Sequence, residues 1–217
     1  MTGDRARATV LLDQTAIAGH VQRMGREIAH DHPDGVVLVG VLKGALIFFA
    51  DLVRAVRDVE VTIDFMSISR FAPDSGRVKI LHDLVTDIGG RDVVLVEDIV
   101  DTGLTLAYLV GQLQARCPRR LSTCAMLDRS VRRIVPEVLD YRGFELGTEY
   151  VLGYGLHVRD LYRNVPYVVA ADRDTLVNRP DAYVDDLYRH AGSAADPGPD
   201  SPRYAGGRVT AVPTEEP

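Results

Sequence analysis

One stretch, residues 93–106, constrains this chain more than any other. It reads VVLVEDIVDTGLTL. A run of β-branched and aliphatic residues has the composition of a strand buried on both faces. The run meets Glu97 and Asp98, then a third carboxylate at Asp101. The small or hydroxyl-bearing Thr102, Gly103 and Thr105 follow. Leu106, Leu109, Val110 and Leu113 then recur at helical spacing. A strand over 92–96, an acidic turn and a helix over 104–114 form the unit of an open parallel sheet. The ligand crevice of such a sheet lies at the carboxyl ends of its strands.

Three acids cannot bind a phosphate themselves. Two like charges 4 Å apart repel by about 4 kcal/mol at an effective dielectric of ~20. They call for hydroxyl donors or a divalent cation such as Mg2+. The turn at 101–105 opens a helix, whose amides can cradle a phosphate, and Gly103 lets the backbone approach closely. Sugar hydroxyls, a cation and a phosphate together describe a phosphorylated ribose. The same residues also suit a solvated turn that caps a helix, because Asp101 and Thr102 are both N-cap residues.

The flanking sequence repeats the alternation. Apolar residues at Ile17, Val21, Met24 and Ile28 predict a helix over 14–32, and residues 36–41 are a β-branched run. A turn at Leu42, Lys43 and Gly44 leads to a helix expected over 45–57. A strand over 59–68 places Val61, Ile63 and Phe65 on one side. A loop over 69–76 and an extended segment over 78–81 follow, with further strands over 121–127 and 167–171. Strands alternating with helices predict an α/β fold with a mostly parallel central sheet flanked by helices. Residues 1–191 are read as one domain and residues 192–217, rich in Gly and Pro, as a disordered tail. Phe48 and Phe49 suit either a core or an interface.

The net charge is −6, so no overall basic field exists to hold nucleic acid or anionic lipid. The two cysteines, Cys117 and Cys124, match neither a zinc spacing nor a disulfide framework. No signal peptide and no apolar run of membrane-spanning length is present, so a cytoplasmic protein is expected.

The string VEDIVDTGLT closely resembles the phosphoribosyl-pyrophosphate (PRPP) motif of type I phosphoribosyltransferases. VGVLKGALIFFADL, IDFMSIS, VKIL, VLGYGL and LYRNVP are similar to the hypoxanthine-guanine, or 6-oxopurine, branch over residues 10–176. The resemblance implies a Rossmann-like core at about 10–176 with a small hood built from both chain ends. It implies transfer of phosphoribose from PRPP to a purine base, with Mg2+ as cofactor, pyrophosphate as product and a homodimeric or homotetrameric assembly. Glu97 and Asp98 match the acids that hold the ribose hydroxyls, directly or around the metal. Asp101 matches the general acid/base. Asp101, Thr102, Gly103, Leu104 and Thr105 match the 5-phosphate loop. Leu42, Lys43 and Gly44 match the pyrophosphate loop, with a non-proline cis peptide before the lysine. Arg163 matches a second pyrophosphate cation, and Val151 the residue whose backbone reads the purine edge.

Departures from the family pattern cluster around the base and the pyrophosphate. Beside Ser69 in the mobile loop, Arg70 and Phe71 replace a Ser-Tyr pair, and Arg70 adds a charge suited to pyrophosphate. Arg129 stands where a lysine contacts the 6-oxo group, and these two cations are not interchangeable. Tyr150 replaces the stacking Phe. His157 replaces an acid that helps hold a second metal, and imidazole suits Mg2+ poorly. Two readings follow: drift in a salvage enzyme, or a relative specialised for a modified purine such as a 7-deazapurine. Xanthine stays open as a substrate. A PRPP- or nucleotide-sensing regulator is the reading from another class, and the acidic surface argues against it.

Overall fold

The computed structural model describes residues 6–69, 79–136 and 138–189. Arg70, Phe71, Val78 and the 192–217 segment lie outside the described residues. Among the described residues the order is β1 (Thr9–Leu12), α1 (Gln14–Asp31), β2 (Val36–Leu42), α2 (Leu46–Ala55), β3 (Val61–Ile68), β4 (Ile80–His82) and β5 (Asp92–Val100). Then come α3 (Leu104–Gln114), β6 (Arg120–Asp128), a 3-10 turn (Ser130–Arg132), β7 (Tyr141–Glu145), β8 (Tyr150–Leu152), β9 (Val168–Ala171), α4 (Arg173–Asn178) and a π-helical turn (Asp185–Arg189).

Six strands form one sheet in the order β4-β3-β2-β5-β6-β7. Every pairing in it is parallel except β3 with β4. Alternation along β2 divides the core between the two faces. Val36 and Leu38 join α1 and α2 through Met24, Ile28, Phe48 and Leu52. Val37, Val39 and Val41 join α3 through Leu106, Leu109 and Leu113. Phe48 and Phe49 are both core residues. Capping fixes the start of α1, where Asp13 accepts a hydrogen bond from the Ala16 N–H at 2.8 Å.

Three sequence expectations are corrected. The strand carrying the acids does not stop at Val96: β5 continues to Val100 because β6 keeps pairing with it, Glu97 opposite Ala125 and Val100 opposite Asp128. In β3 the buried positions are Asp64 and Met66, while Ile63 is exposed. Asp64 is tolerated there because the N–H groups of Phe65, Val85 and Thr86 all donate to it at 2.7–2.9 Å. The strand expected over 167–171 is β9, and it belongs to a second sheet. That antiparallel sheet, ordered β1-β9-β8, joins both ends of the chain over its own core of Leu152, Tyr162, Val165, Leu176 and Tyr183.

β2 pairs with β3 on one side and with β5 on the other, so the chain order reverses between β2 and β5. Such a switch point opens a crevice at the carboxyl ends of these strands. Lys43 and Gly44 leave β2 there, and Glu97 and Asp98 lie on β5 beside it.

Candidate active site

A cavity of about 730 Å³ occupies this crevice, within the range of small-ligand sites. Its walls include Leu42, Lys43 and Gly44 after β2, Glu97 and Asp98 on β5, Arg129 after β6, Tyr150 and Val151 on β8, and His157, Asp160 and Arg163 from the loop before β9. The two sheets therefore enclose it jointly. The peptide between Leu42 and Lys43 is cis.

Gly44 is required by packing. A Cβ there would collide with Asp98 Oδ2, and a Cβ on Gly155 would in turn collide with the carbonyl of Gly44. Asp98 also accepts from the Ile99 N–H at 2.9 Å. Glu97 is buried, and its Oε1 has no hydrogen-bond partner among the described residues. Burial, reinforced by the charge of Asp98, pushes its carboxyl well above the ordinary carboxylate range. Burial also raises Asp98, against the Ile99 N–H and the positive charge of Arg163. An orphaned acid beside a second acid is ready for hydroxyl donors or a hard cation. Among the described residues no group of three or more His, Cys, Asp or Glu could hold a metal alone. Two adjacent carboxylates, one with an orphaned oxygen, are a donor set that suits a hard ion such as Mg2+, which is commonly held by one or two carboxylates.

The cations are arranged around an acid that sequence reasoning missed. Asp160 receives Arg163 Nε and Nη2 at 3.1 and 2.9 Å, lies 3.9 Å from Lys43 Nζ, and donates its N–H to His157 Nδ1 at 3.0 Å. Hydrogen bonding from Arg163, then the charge of Lys43, holds its carboxyl below the usual range. His157 thus stands with the residues read for pyrophosphate, and its Nδ1 is engaged. Arg159, Asp160 and Tyr162 all have φ between 47° and 76°, a region rarely taken by residues other than glycine. Tyrosines fix this loop. Tyr188 accepts from the Tyr162 N–H at 2.7 Å, and the Tyr162 hydroxyl donates to the Pro180 carbonyl at 2.7 Å.

The helix-capping alternative for the acidic turn fails. The N-cap of α3 is Gly103, at φ 83°, and no side chain caps the helix. Thr102 Oγ1 reaches the Leu104 N–H only at 3.5 Å. Beyond that long contact no side chain among the described residues accepts from the first-turn amides, which suits an anion. Ile134 and Val135 donate their N–H groups to the Thr102 carbonyl at 2.9 and 3.1 Å, and a Cβ on Gly103 would sit 2.7 Å from the Val135 carbonyl oxygen. Asp101 turns away from the helix. Its Oδ2 accepts from Arg129 Nη1 at 3.4 Å and forms an ion pair with Arg132 Nη1 at 3.1 Å. Asp101, Thr102, Leu104 and Thr105 do not line the cavity; Arg129 connects its wall to Asp101. Arg129 is buried, and its Nη2 donates to the Glu149 carbonyl at 2.6 Å. Ser69 closes the pairing of β3 with β4, donating its N–H to the Lys79 carbonyl at 2.8 Å.

Comparison with known proteins agrees with this geometry. The phosphoribosyl transferase domain model matches residues 8–158. The hypoxanthine-guanine phosphoribosyltransferase of Dictyostelium discoideum is 39% identical over 166 residues, covering 73% of this chain and 92% of that protein. The crystal structure of the hypoxanthine-guanine phosphoribosyltransferase of Bacillus anthracis superposes with a TM-score of 0.72 at 35% identity, covering 75% of this chain and 98% of that one. The hypoxanthine phosphoribosyltransferase of Trypanosoma cruzi gives a TM-score of 0.76 at 33% identity over 83% of this chain and 99% of its own. With the acids on β5, the cis peptide after β2 and the uncapped start of α3, these matches place the chain in the phosphoribosyltransferase family, in its hypoxanthine-guanine branch.

Proposed function

We propose that the chain transfers the 5-phosphoribosyl group of PRPP to a purine base of the hypoxanthine or guanine type, giving a nucleoside monophosphate and pyrophosphate. One observation carries the reading: the adjacent acids of β5, Glu97 with an orphaned oxygen and Asp98, face the same cavity as Lys43 and Arg163, and α3 beside them starts without a side-chain cap. In the reaction the bond from the anomeric carbon to pyrophosphate breaks, and the leaving oxygen takes the electron pair. A ring nitrogen of the base forms the new bond to that carbon. The base loses a proton as its N9 bonds to that carbon, and the Asp101 carboxylate, matched to the acid beside N7, takes it as general base.

Each residue then has a part. Glu97 and Asp98 hold the ribose hydroxyls and would also hold Mg2+, which when bound offsets pyrophosphate charge. The amides of residues 102–105 hold the 5-phosphate. Leu42, Lys43 and Gly44 with Arg163 receive the pyrophosphate, Asp160 keeping both cations in place, and Arg70 adds a further cation. Tyr150 stacks on the base, the Val151 backbone reads its edge, and Arg129 faces its 6-substituent. His157 orients the Asp160 turn. The setting is cytoplasmic and the assembly a homodimer or homotetramer. No helix among the described residues is long and apolar enough to cross a membrane, and work on the T. cruzi relative addressed the role of its C-terminal region in oligomeric state and activity.

The test is an assay of purified protein with PRPP, Mg2+ and a panel of hypoxanthine, guanine, xanthine and a 7-deazapurine. Pyrophosphate release and monophosphate formation with hypoxanthine or guanine are expected. Release with the 7-deazapurine alone would assign the modified-purine reading. Retained PRPP binding without release from any base would sink the enzyme reading and favour a sensor.

A further inference from the structure

Two arginines, one before the 3-10 turn Ser130–Arg132 and one at its end, hold the acidic turn from one side. Arg129 Nη1 donates to Oδ2 of Asp101 at 3.4 Å, and Arg132 Nη1 forms an ion pair with the same oxygen at 3.1 Å. Arg133 pairs with Asp128 at the end of β6. The other oxygen of Asp101, Oδ1, is buried and has no hydrogen-bond partner among the described residues. The carboxylate is thus divided, one oxygen held by two guanidinium groups and the other left uncommitted.

The two arginines differ in place. Arg129 is buried, lines the cavity and is also tied to the Glu149 carbonyl. Arg132 does not line the cavity, and 56% of its side chain is exposed. An ion pair this exposed adds little to folding stability, so its contribution is orientation. Without it, Oδ2 keeps only the longer contact to Arg129, and the carboxylate can rotate its uncommitted oxygen out of place.

We propose that Arg132 is a positioning residue: it holds Oδ2 of Asp101 and so fixes the orientation of the carboxylate that takes the proton of the purine. The proposal rests on the reading of Asp101 as general base. Arg132 touches no substrate and acts through Asp101 alone.

The test is a kinetic cycle of Arg132→Ala, Arg132→Lys, Asp101→Asn and Asp101→Asn/Arg132→Ala, with melting temperatures measured alongside. Arg132→Ala is expected to lower kcat about tenfold, the effect of a misaligned catalytic group. KM for PRPP should stay within about twofold, with the melting temperature unchanged. Arg132→Lys should recover part of kcat. In the Asp101→Asn background the Arg132 substitution should have no further effect, because the group it orients is gone. Wild-type kcat in Arg132→Ala, a loss confined to KM, or an undiminished loss in the double variant would each overturn the positioning role. If Asp101→Asn is slow while Arg132→Ala is normal, only the positioning role falls. If Asp101→Asn itself turns over normally, the general-base reading falls, and the positioning role with it.

Discussion

Asp101 and Arg129 bear most directly on the chemistry. Asp101→Asn keeps size and shape but cannot take a proton, so turnover is expected to fall by about two to four orders of magnitude. Steady-state kinetics at saturating substrates check this, and unchanged kcat would refute the role. Arg129 spans Asp101 and the Glu149 carbonyl with its two terminal nitrogens, while its Nε is buried without a partner. A lysine carries one nitrogen and cannot occupy both contacts. Arg129→Lys is therefore expected to shift base preference toward hypoxanthine and guanine, read as ratios of kcat/KM across the panel. An unaltered base profile would count against Arg129 facing the base. The acids Glu97, Asp98 and Asp101 were legible because they follow one another in a single motif. Asp160 was not, since it joins Lys43 and Arg163 only through a loop whose left-handed residues no spacing rule picks out. Nor was the grip of Arg132, which looks like any other member of an arginine-rich stretch until the turn folds.

At the scale of elements, α3 links packing to binding. It presents Leu106, Leu109 and Leu113 to the sheet, and its first turn opens at Gly103 without a side-chain cap. Leu109 is fully buried. Leu109→Ala is expected to cost about 2–5 kcal/mol, because the cavity left behind adds to the lost transfer energy. Urea unfolding checks it, and a midpoint within error of the unsubstituted protein would contradict the packing. The long elements α1, β2, β5, α3 and β6 were legible because their periods persist over several turns or a whole buried strand. β1, β7 and β8 were not. They have three to five residues each and sit at sheet edges or in the small sheet, where half-burial blurs the alternation. The end of β5 was misplaced for a related reason: acids look like a strand stop, yet pairing with β6 carries the strand through them.

Across the whole molecule, carboxylates carried by the large sheet oppose one another in pH dependence. At the start of β5, Asp92 is held down by the Arg119 N–H and further by His32, at 2.7 and 2.9 Å. Asp64 is held down by backbone N–H groups that outweigh its burial. Their folded pKa values lie below the ordinary 3.8, so the unfolded chain binds more protons there. The stability they give is present above that value and is lost as pH falls below it. Glu97 behaves oppositely. Its folded pKa lies above the ordinary 4.5, so the folded protein binds the extra proton, and stability declines as pH rises through that window. Melting temperatures of the unliganded protein are therefore expected to peak on the acid side of neutrality. Glu97→Gln should flatten the decline toward higher pH and leave the acid limb in place. An identical decline in that variant would show that burial of Glu97 is not its source.

The contact of Gly155 with the Gly44 carbonyl, and of Gly44 with Asp98, also bears on how such a sequence can change over time. Three segments distant along the chain meet there, and neither glycine has room for a Cβ unless another segment shifts. A side chain at either glycine therefore asks for an accompanying change in a part of the chain far away in sequence. Arg129 and Tyr150 have no part in these glycine contacts, so the wall proposed to face the base can change its side chains without disturbing them.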